Sequence, residues 1–313
     1  MIARNSWRRV APAAVRTDVA GSTHRETDPR EAVNYISAVF EDYLTYGRLA
    51  EGDLEGATVL ELGPGDSLGV ALRFVAAGAR RIVCVERYRV WQNPAHQREI
   101  YEELIRRLPP EQRSRTESAI EFGDAGVSFD PAVIELVEGP GAEGLDGLLA
   151  LGSVDLIVSR AVLEYVPEIE RSLHQQARLL SDDGMIAHKI DLRDHGLFTS
   201  AGHHPLTFLE IPERLYRAMS TNTGMPNRWR ASEYADALES LGLEVDVLVT
   251  HAAGIETEVV PHAAALSSDG HARAFELVER TRDGLDPRFR ALNDEDLATV
   301  GVFVTARRPG SSR

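Results

Sequence analysis

The chain has 313 residues, of which 43% are hydrophobic and 27% charged, a mixture that builds a full core and excludes global disorder. With 34 basic and 49 acidic side chains the formal net charge is −15, so general nucleic-acid binding is not expected. No apolar stretch approaches the roughly 18 residues that a membrane span needs.

Residues 1–30 carry Arg4, Arg8, Arg9 and Arg16 without an apolar run of the secretory type, and read as a loose arm. Residues 31–56 form a helical cap rich in aromatics, with Tyr35, Phe40, Tyr43 and Tyr46. Thr58 to Leu62 is a β run that ends in Gly63-Pro64-Gly65, and a helix with Leu68, Leu72, Val75 and Ala76 on one face follows, stopped by Gly78. Ile82 to Val85 is the second strand, closed by Glu86. It contains Cys84, the only cysteine, which excludes an internal disulfide and a thiolate metal site and is expected to be buried.

Residues 93–108 read as helix, and Ile120 to Phe122 as a short third strand before Gly123-Asp124. Val154 to Val158 is a buried strand. Pro167 opens a helix with Ile169, Leu173, Ala177 and Leu180 aligned and Gly184 as its stop, and Met185 to Leu192 is a fifth strand. Residues 196–230 lack a single period. Ser232 is expected to cap a helix bearing Tyr234, Leu238 and Leu241; Val245, Val247 and Val249 alternate as a sixth strand, and Thr299 to Ala306 is the last.

Such alternation of strand and helix gives a mainly parallel sheet covered on both faces, with ligands beyond the carboxyl ends of its strands. The glycines of Glu61-Leu62-Gly63-Pro64-Gly65-Asp66 allow backbone to approach a ligand, and the helix behind them offers free N–H groups. Glu86, 21 residues after Gly65, is placed to accept both hydroxyls of a ribose. A tight turn and a solvated strand end remain the plain alternatives.

Four segments resemble the Rossmann-like methyltransferases that use S-adenosylmethionine (SAM): Val59-Leu60-Glu61-Leu62-Gly63-Pro64-Gly65, Val83-Cys84-Val85-Glu86, Phe122-Gly123-Asp124-Ala125, and the stretch from Val154-Asp155-Leu156 through Ser159-Arg160 to Leu163-Glu164-Tyr165-Val166. The resemblance spans residues 55–195 and extends more loosely to 309. It implies an α/β, Rossmann-like, doubly wound seven-stranded sheet, mostly parallel with an antiparallel last strand and helices on both faces. It also implies SAM as methyl donor. Gly63 and Gly65 would approach its methionine and ribose, Glu61 would orient the loop and the ammonium, and Glu86 would take the ribose hydroxyls. Asp124 and Ala125 would hold adenine, and Ser159 and Arg160 would line the methionine end. The resulting plan is an arm (1–30), a cap (31–56), a SAM-binding core (57–195), an acceptor lid (196–230) and a C-terminal part of the sheet (231–313) with an insertion at 251–297.

Methyl transfer requires a nucleophile held in line with the donor, and a base adds about 10²–10⁴-fold. His195 is the candidate base, with Asp191 or Asp194 orienting it; a fixed ion-pair network is the alternative reading of that cluster. Tyr35, Tyr43, His203, His204 and Trp229 are candidates for acceptor contact, and Arg228 and Arg230 for an acidic group on the acceptor. His203 and His204 with Asp191 and Asp194 include types suited to a divalent ion, but the spacing is not diagnostic and no metal is assigned. The expected activity is methylation of a small molecule on oxygen, in bacterial natural-product or sugar metabolism, in the cytoplasm, by a monomer or a homo-oligomer. An N-methyltransferase and a non-catalytic SAM- or nucleotide-binding module are the rivals. A nicotinamide dehydrogenase is disfavoured, because Gly69 falls one residue late for its fingerprint and Glu61 lies inside the first strand.

Overall fold

In the computed structural model the Asp28 carboxylate accepts from the Arg30 amide at 2.8 Å and Pro29 pre-sets the first helical φ, so helix α1 runs Pro29–Gly47. Its buried residues Ala32, Val33, Ile36, Val39, Phe40, Tyr43 and Leu44 recur at helical spacing. The structure describes His24 and residues 27–88, 93–124, 126–220 and 225–311; the arm expected over 1–30 lies almost wholly outside them, as does Ala125.

The described residues fall into two compact units. The first contains α1, β1 (Thr58–Leu62), α2 (Gly69–Ala76), β2 (Arg81–Glu86), α3 (Pro94–Arg107) and α4 (Pro110–Ala119). It continues with β3 (Ile120–Gly123), β4 (Gly126–Phe129), β5 (Ile134–Glu138), β6 (Val154–Arg160), α5 (Ile169–Leu179, apart from its first two residues) and residues 180–187 of β7 (Leu180–Asp191). β1 is buried at all five positions, as a central parallel strand must be. It pairs in parallel with β2, Glu61 opposite Cys84, and with β6, Leu62 opposite Ser159. On α1, Phe40 meets the edge of Phe74 from α2 with centroids 5.2 Å apart.

The second unit takes residues 161–170 and 188–309. It holds the end of β7, α6 (Glu213–Ser220), α7 (Ala231–Ser240), β8 (Glu244–Ala252), α8 (Ala272–Thr281) and β9 (Thr299–Arg307). β8 and β9 are antiparallel, Val247 opposite Val304. A separate cluster that includes Phe208, Leu209, Val278, Phe289 and Val300 packs between these elements.

The strand order is β5-β2-β1-β6-β7-β9-β8, a seven-stranded Rossmann-like sheet whose final pair runs antiparallel. Three expectations are corrected. The strand beside β2 is β5, residues 134–138, and not residues 120–122. β3 instead folds onto β4 as a separate hairpin, turned by Asp124 and by Gly126 at φ +128°. The helix after Pro167 ends at Leu179, because Leu180 already belongs to β7. Ser232 lies inside α7 and gives its hydroxyl to Asp296 at 2.6 Å, while the Glu233 carboxylate accepts the Arg230 amide at 2.9 Å.

Candidate active site

The turn after β1 is built on positive φ, +67° at Gly63 and +70° at Gly65, which glycine adopts without strain. The Gly63 amide donates to Val85 O at 2.8 Å, locking the turn to β2. At the carboxyl end of β2, Glu86 Oε2 accepts from the Gly65 amide at 3.2 Å and Oε1 from the Tyr88 amide at 3.2 Å. The Arg87 amide also lies against this carboxylate, and acceptor capacity is still left over. Burial raises the Glu86 pKa, and those amides oppose it. Glu61 is buried inside β1, 3.4 Å from Cys84 Sγ, and desolvation lifts its carboxyl to about 7. This contact between neighbouring strands has no signal in the local residue pattern, because strand pairing alone sets Glu61 opposite Cys84.

Beyond the turn, Asp66 is buried and accepts the His24 amide at 2.8 Å. Ser159 is buried at the end of β6. Arg160 pairs with Asp42 of α1 at 2.7 Å and lies over the Tyr35 ring, 5.4 Å from its centroid. Tyr35 is exposed, whereas Tyr43, proposed above as an acceptor contact, is buried against Phe74 and belongs to the core. Asp124 is exposed in the β3–β4 hairpin turn, off the seven-stranded sheet, which corrects its place after a third sheet strand. The segment that does follow a strand beside Glu86 is Gly139-Pro140-Gly141-Ala142, and the Gly139 amide donates to Glu86 O at 2.7 Å.

In the second unit, β7 ends at Asp191, which the Arg193 guanidinium grips through both oxygens, Nε to Oδ1 at 2.9 Å and Nη2 to Oδ2 at 2.6 Å. These contacts, together with the nearby His195, hold the Asp191 pKa low against its burial. Asp194 does not orient His195; its oxygens accept from the amides of Gly196, Phe198 and Thr199 and from the Thr199 hydroxyl, at 2.7–3.1 Å, and so shape the loop. His195 sits at φ +49°, and its Nε2 lies 3.8 Å from Oε1 of Glu164, a fully buried carboxyl that sequence reasoning did not single out as catalytic. Its ring centroid is 4.9 Å from that of Tyr165.

The remaining candidates separate. His203 is exposed, its ring 6.3 Å from Phe198, while His204 pairs with Glu210 at 2.8 Å. With Asp191 and Asp194 already engaged, these four do not gather into a metal-ligand set. Trp229 is half-buried against Tyr234, centroids 5.3 Å apart. Arg228 and Arg230 are buried braces rather than acceptor ligands. Arg228 donates to Phe208 O and Ile211 O, pairs with Glu213 and stacks on Tyr216 at 4.0 Å. Arg230 donates to the carbonyls of Leu192, Asp296, Leu297 and Thr299.

A family model described as a methyltransferase domain matches residues 32–248, more than half of the chain. The chain belongs to this methyltransferase family. Among solved structures, it is similar to an S-adenosylmethionine-dependent methyltransferase from Mesorhizobium loti, at 16% identity and TM-score 0.43, covering 87% of this chain and 100% of that one. Phosphoethanolamine N-methyltransferase 2 of Haemonchus contortus, bound to phosphomonomethylethanolamine and S-adenosylhomocysteine, matches at 11% identity and TM-score 0.46, covering 96% of this chain and 61% of that one. A putative S-adenosylmethionine-dependent methyltransferase from Listeria monocytogenes matches at 13% identity and TM-score 0.43, covering 87% and 99%. No curated protein matches in sequence.

SAM is therefore the donor of this methyltransferase. The residues present fit it: the positive-φ glycines keep side chains out of the turn, and Glu86 retains acceptor capacity beside the Gly65 amide.

Proposed function

We propose that this methyltransferase transfers the SAM methyl group to a hydroxyl oxygen of a small molecule in bacterial natural-product or sugar metabolism, by in-line displacement. His195 carries the choice of oxygen. His195 is an exposed residue whose imidazole keeps 25% of its surface open, held at a positive φ by a loop whose hydrogen bonds Asp194 organises, beside the buried carboxyl of Glu164. A neutral hydroxyl sheds its proton as the oxygen attacks, and imidazole is suited to take that proton near neutrality.

SAM, when bound, supplies an already activated sulfonium methyl. Gly63 and Gly65 would receive its methionine and ribose, Glu61 would orient the turn and the ammonium, Glu86 would accept from the ribose hydroxyls, and Ser159 and Arg160 would line the methionine end. The Gly139–Ala142 segment, following β5 beside Glu86, would take the place at adenine first given to Asp124 and Ala125. Trp229, in the same unit as His195, would meet the acceptor.

The test is S-adenosylhomocysteine formation against a panel of hydroxylated and amine acceptors. His195→Ala is expected to lower turnover on the accepted hydroxyl compound by about 10²–10⁴-fold. Calorimetry should find its SAM affinity unchanged. Unaltered turnover would remove His195 as base, and turnover confined to amines would remove oxygen as the acceptor atom.

A further inference from the structure

Glu164 lies in the short 3₁₀ turn Leu163–Tyr165 that follows β6, and 1% of its surface is exposed. That turn is tied down on both sides. Asn227 Nδ2 donates to Leu163 O at 2.8 Å and to Val166 O at 3.2 Å, and the Asn227 amide donates to Glu164 O at 2.6 Å. Neither buried carboxyl oxygen of Glu164 makes a hydrogen bond of sound geometry, and the amides of Glu164 and Asp191 near them only partly offset the burial. A buried carboxyl in that condition costs free energy unless a partner is supplied. The imidazole of His195 stands opposite at 3.8 Å, held in a conformation that a histidine seldom adopts.

We propose that Glu164 is the positioning residue for His195: its carboxylate accepts the Nε2–H, fixes the ring, and leaves Nδ1 free to take the acceptor's proton. The proposal rests on the reading of His195 as base. During reaction the acceptor O–H bond would break and Nδ1–H form, while the electron pair left on oxygen makes the new bond to the methyl carbon as the donor's C–S bond breaks and its pair returns to sulfur, leaving S-adenosylhomocysteine. The Glu164 carboxylate then balances the imidazolium, which is the work of a buried orienting acid.

Other titratable and charged groups face the pair. Tyr165 belongs to the same turn, Asp191 and Arg193 come from the end of β7 and beyond, Tyr216 from α6 and Tyr234 from α7. Asp191 is the nearest rival, but its oxygens are already bound to Arg193. Burial raises the pKa of Glu164 well above the usual range, so its carboxylate form depends on the Nε2–H that His195 directs at it from 3.8 Å.

The experiment is an NMR titration of the full chain with ¹³C-labelled histidine, following His195, beside the pH profile of turnover. In Glu164→Gln the imidazole should bind its proton at least tenfold more weakly, and the acid limb of the turnover profile should move to lower pH by the same amount. Glu164→Asp, which keeps the charge, should change proton affinity less than threefold and serves if the amide variant does not fold. Asp191→Asn should also change it less than threefold. An unaltered titration in Glu164→Gln, or a larger effect from Asp191→Asn, overturns the assignment. A tenfold shift with His195→Ala still fully active would instead overturn the base reading, leaving the pair without a catalytic role.

Discussion

Glu61 and Glu86 sit on neighbouring strands in unlike surroundings. Glu86 is braced by backbone amides and keeps acceptor capacity, so Glu86→Ala should weaken SAM binding about ten- to a hundredfold, as hydrogen bonds to a charged group are worth roughly 1.5–3 kcal/mol. Calorimetry with SAM and its demethylated product checks it, and unchanged heat and affinity would remove the assignment. Glu61 has its folded pKa raised from 4.5 to about 7 by burial. The folded state therefore holds this proton more tightly than the unfolded one. Stability that is full below about pH 4.5 is lost as pH rises toward 7, by roughly 3 kcal/mol at about 1.4 kcal/mol per unit. Urea unfolding at pH 5 and pH 8 should show that this part of the pH dependence is missing in Glu61→Gln.

Among the secondary-structure elements, α1 and α2 meet through a glycine. A Cβ on Gly69 would stand 2.4 Å from Ile36 Cδ1, so Gly69→Ala should destabilise the protein by about 1–3 kcal/mol. Ile36→Val removes that methyl and should recover part of the loss in the double variant; additive losses in thermal melts would deny the contact. In the second unit Arg230 fastens the entry of α7 to the carbonyls that precede and open β9. Each buried carbonyl deprived of its donor costs about 1–3 kcal/mol, so Arg230→Ala should lower the urea midpoint sharply. A midpoint equal to that of the wild type would show that the carbonyls find other donors.

At the scale of the molecule, a donor that binds only the folded chain stabilises it by mass action. SAM at a hundred times its dissociation constant should add about 2.7 kcal/mol and raise the melting temperature by several degrees. NAD should add nothing. Protection by NAD without protection by SAM would contradict the assigned donor.

The amino-acid sequence by itself determined the β1 turn, the acid at the end of β2 and the two closing strands, because each is written in a short stretch: a buried β run, glycines at fixed offsets, or alternating valines; that the closing pair is antiparallel was what the family resemblance implied. The tertiary structure alone decided which strand joins β2. β5 reads Ile-Glu-Leu-Val-Glu, a half-charged edge pattern, and long-range pairing selects it over the more apolar-looking Ile120–Phe122 segment. It also decided which charges are structural. Arg228 and Arg230 look like surface arginines, and Glu164 like one acid among many, until packing removes their water. Desolvation depends on what folds over a group and not on its sequence neighbours, so the partner of His195 emerged only when the turn after β6 and the loop after β7 were brought together.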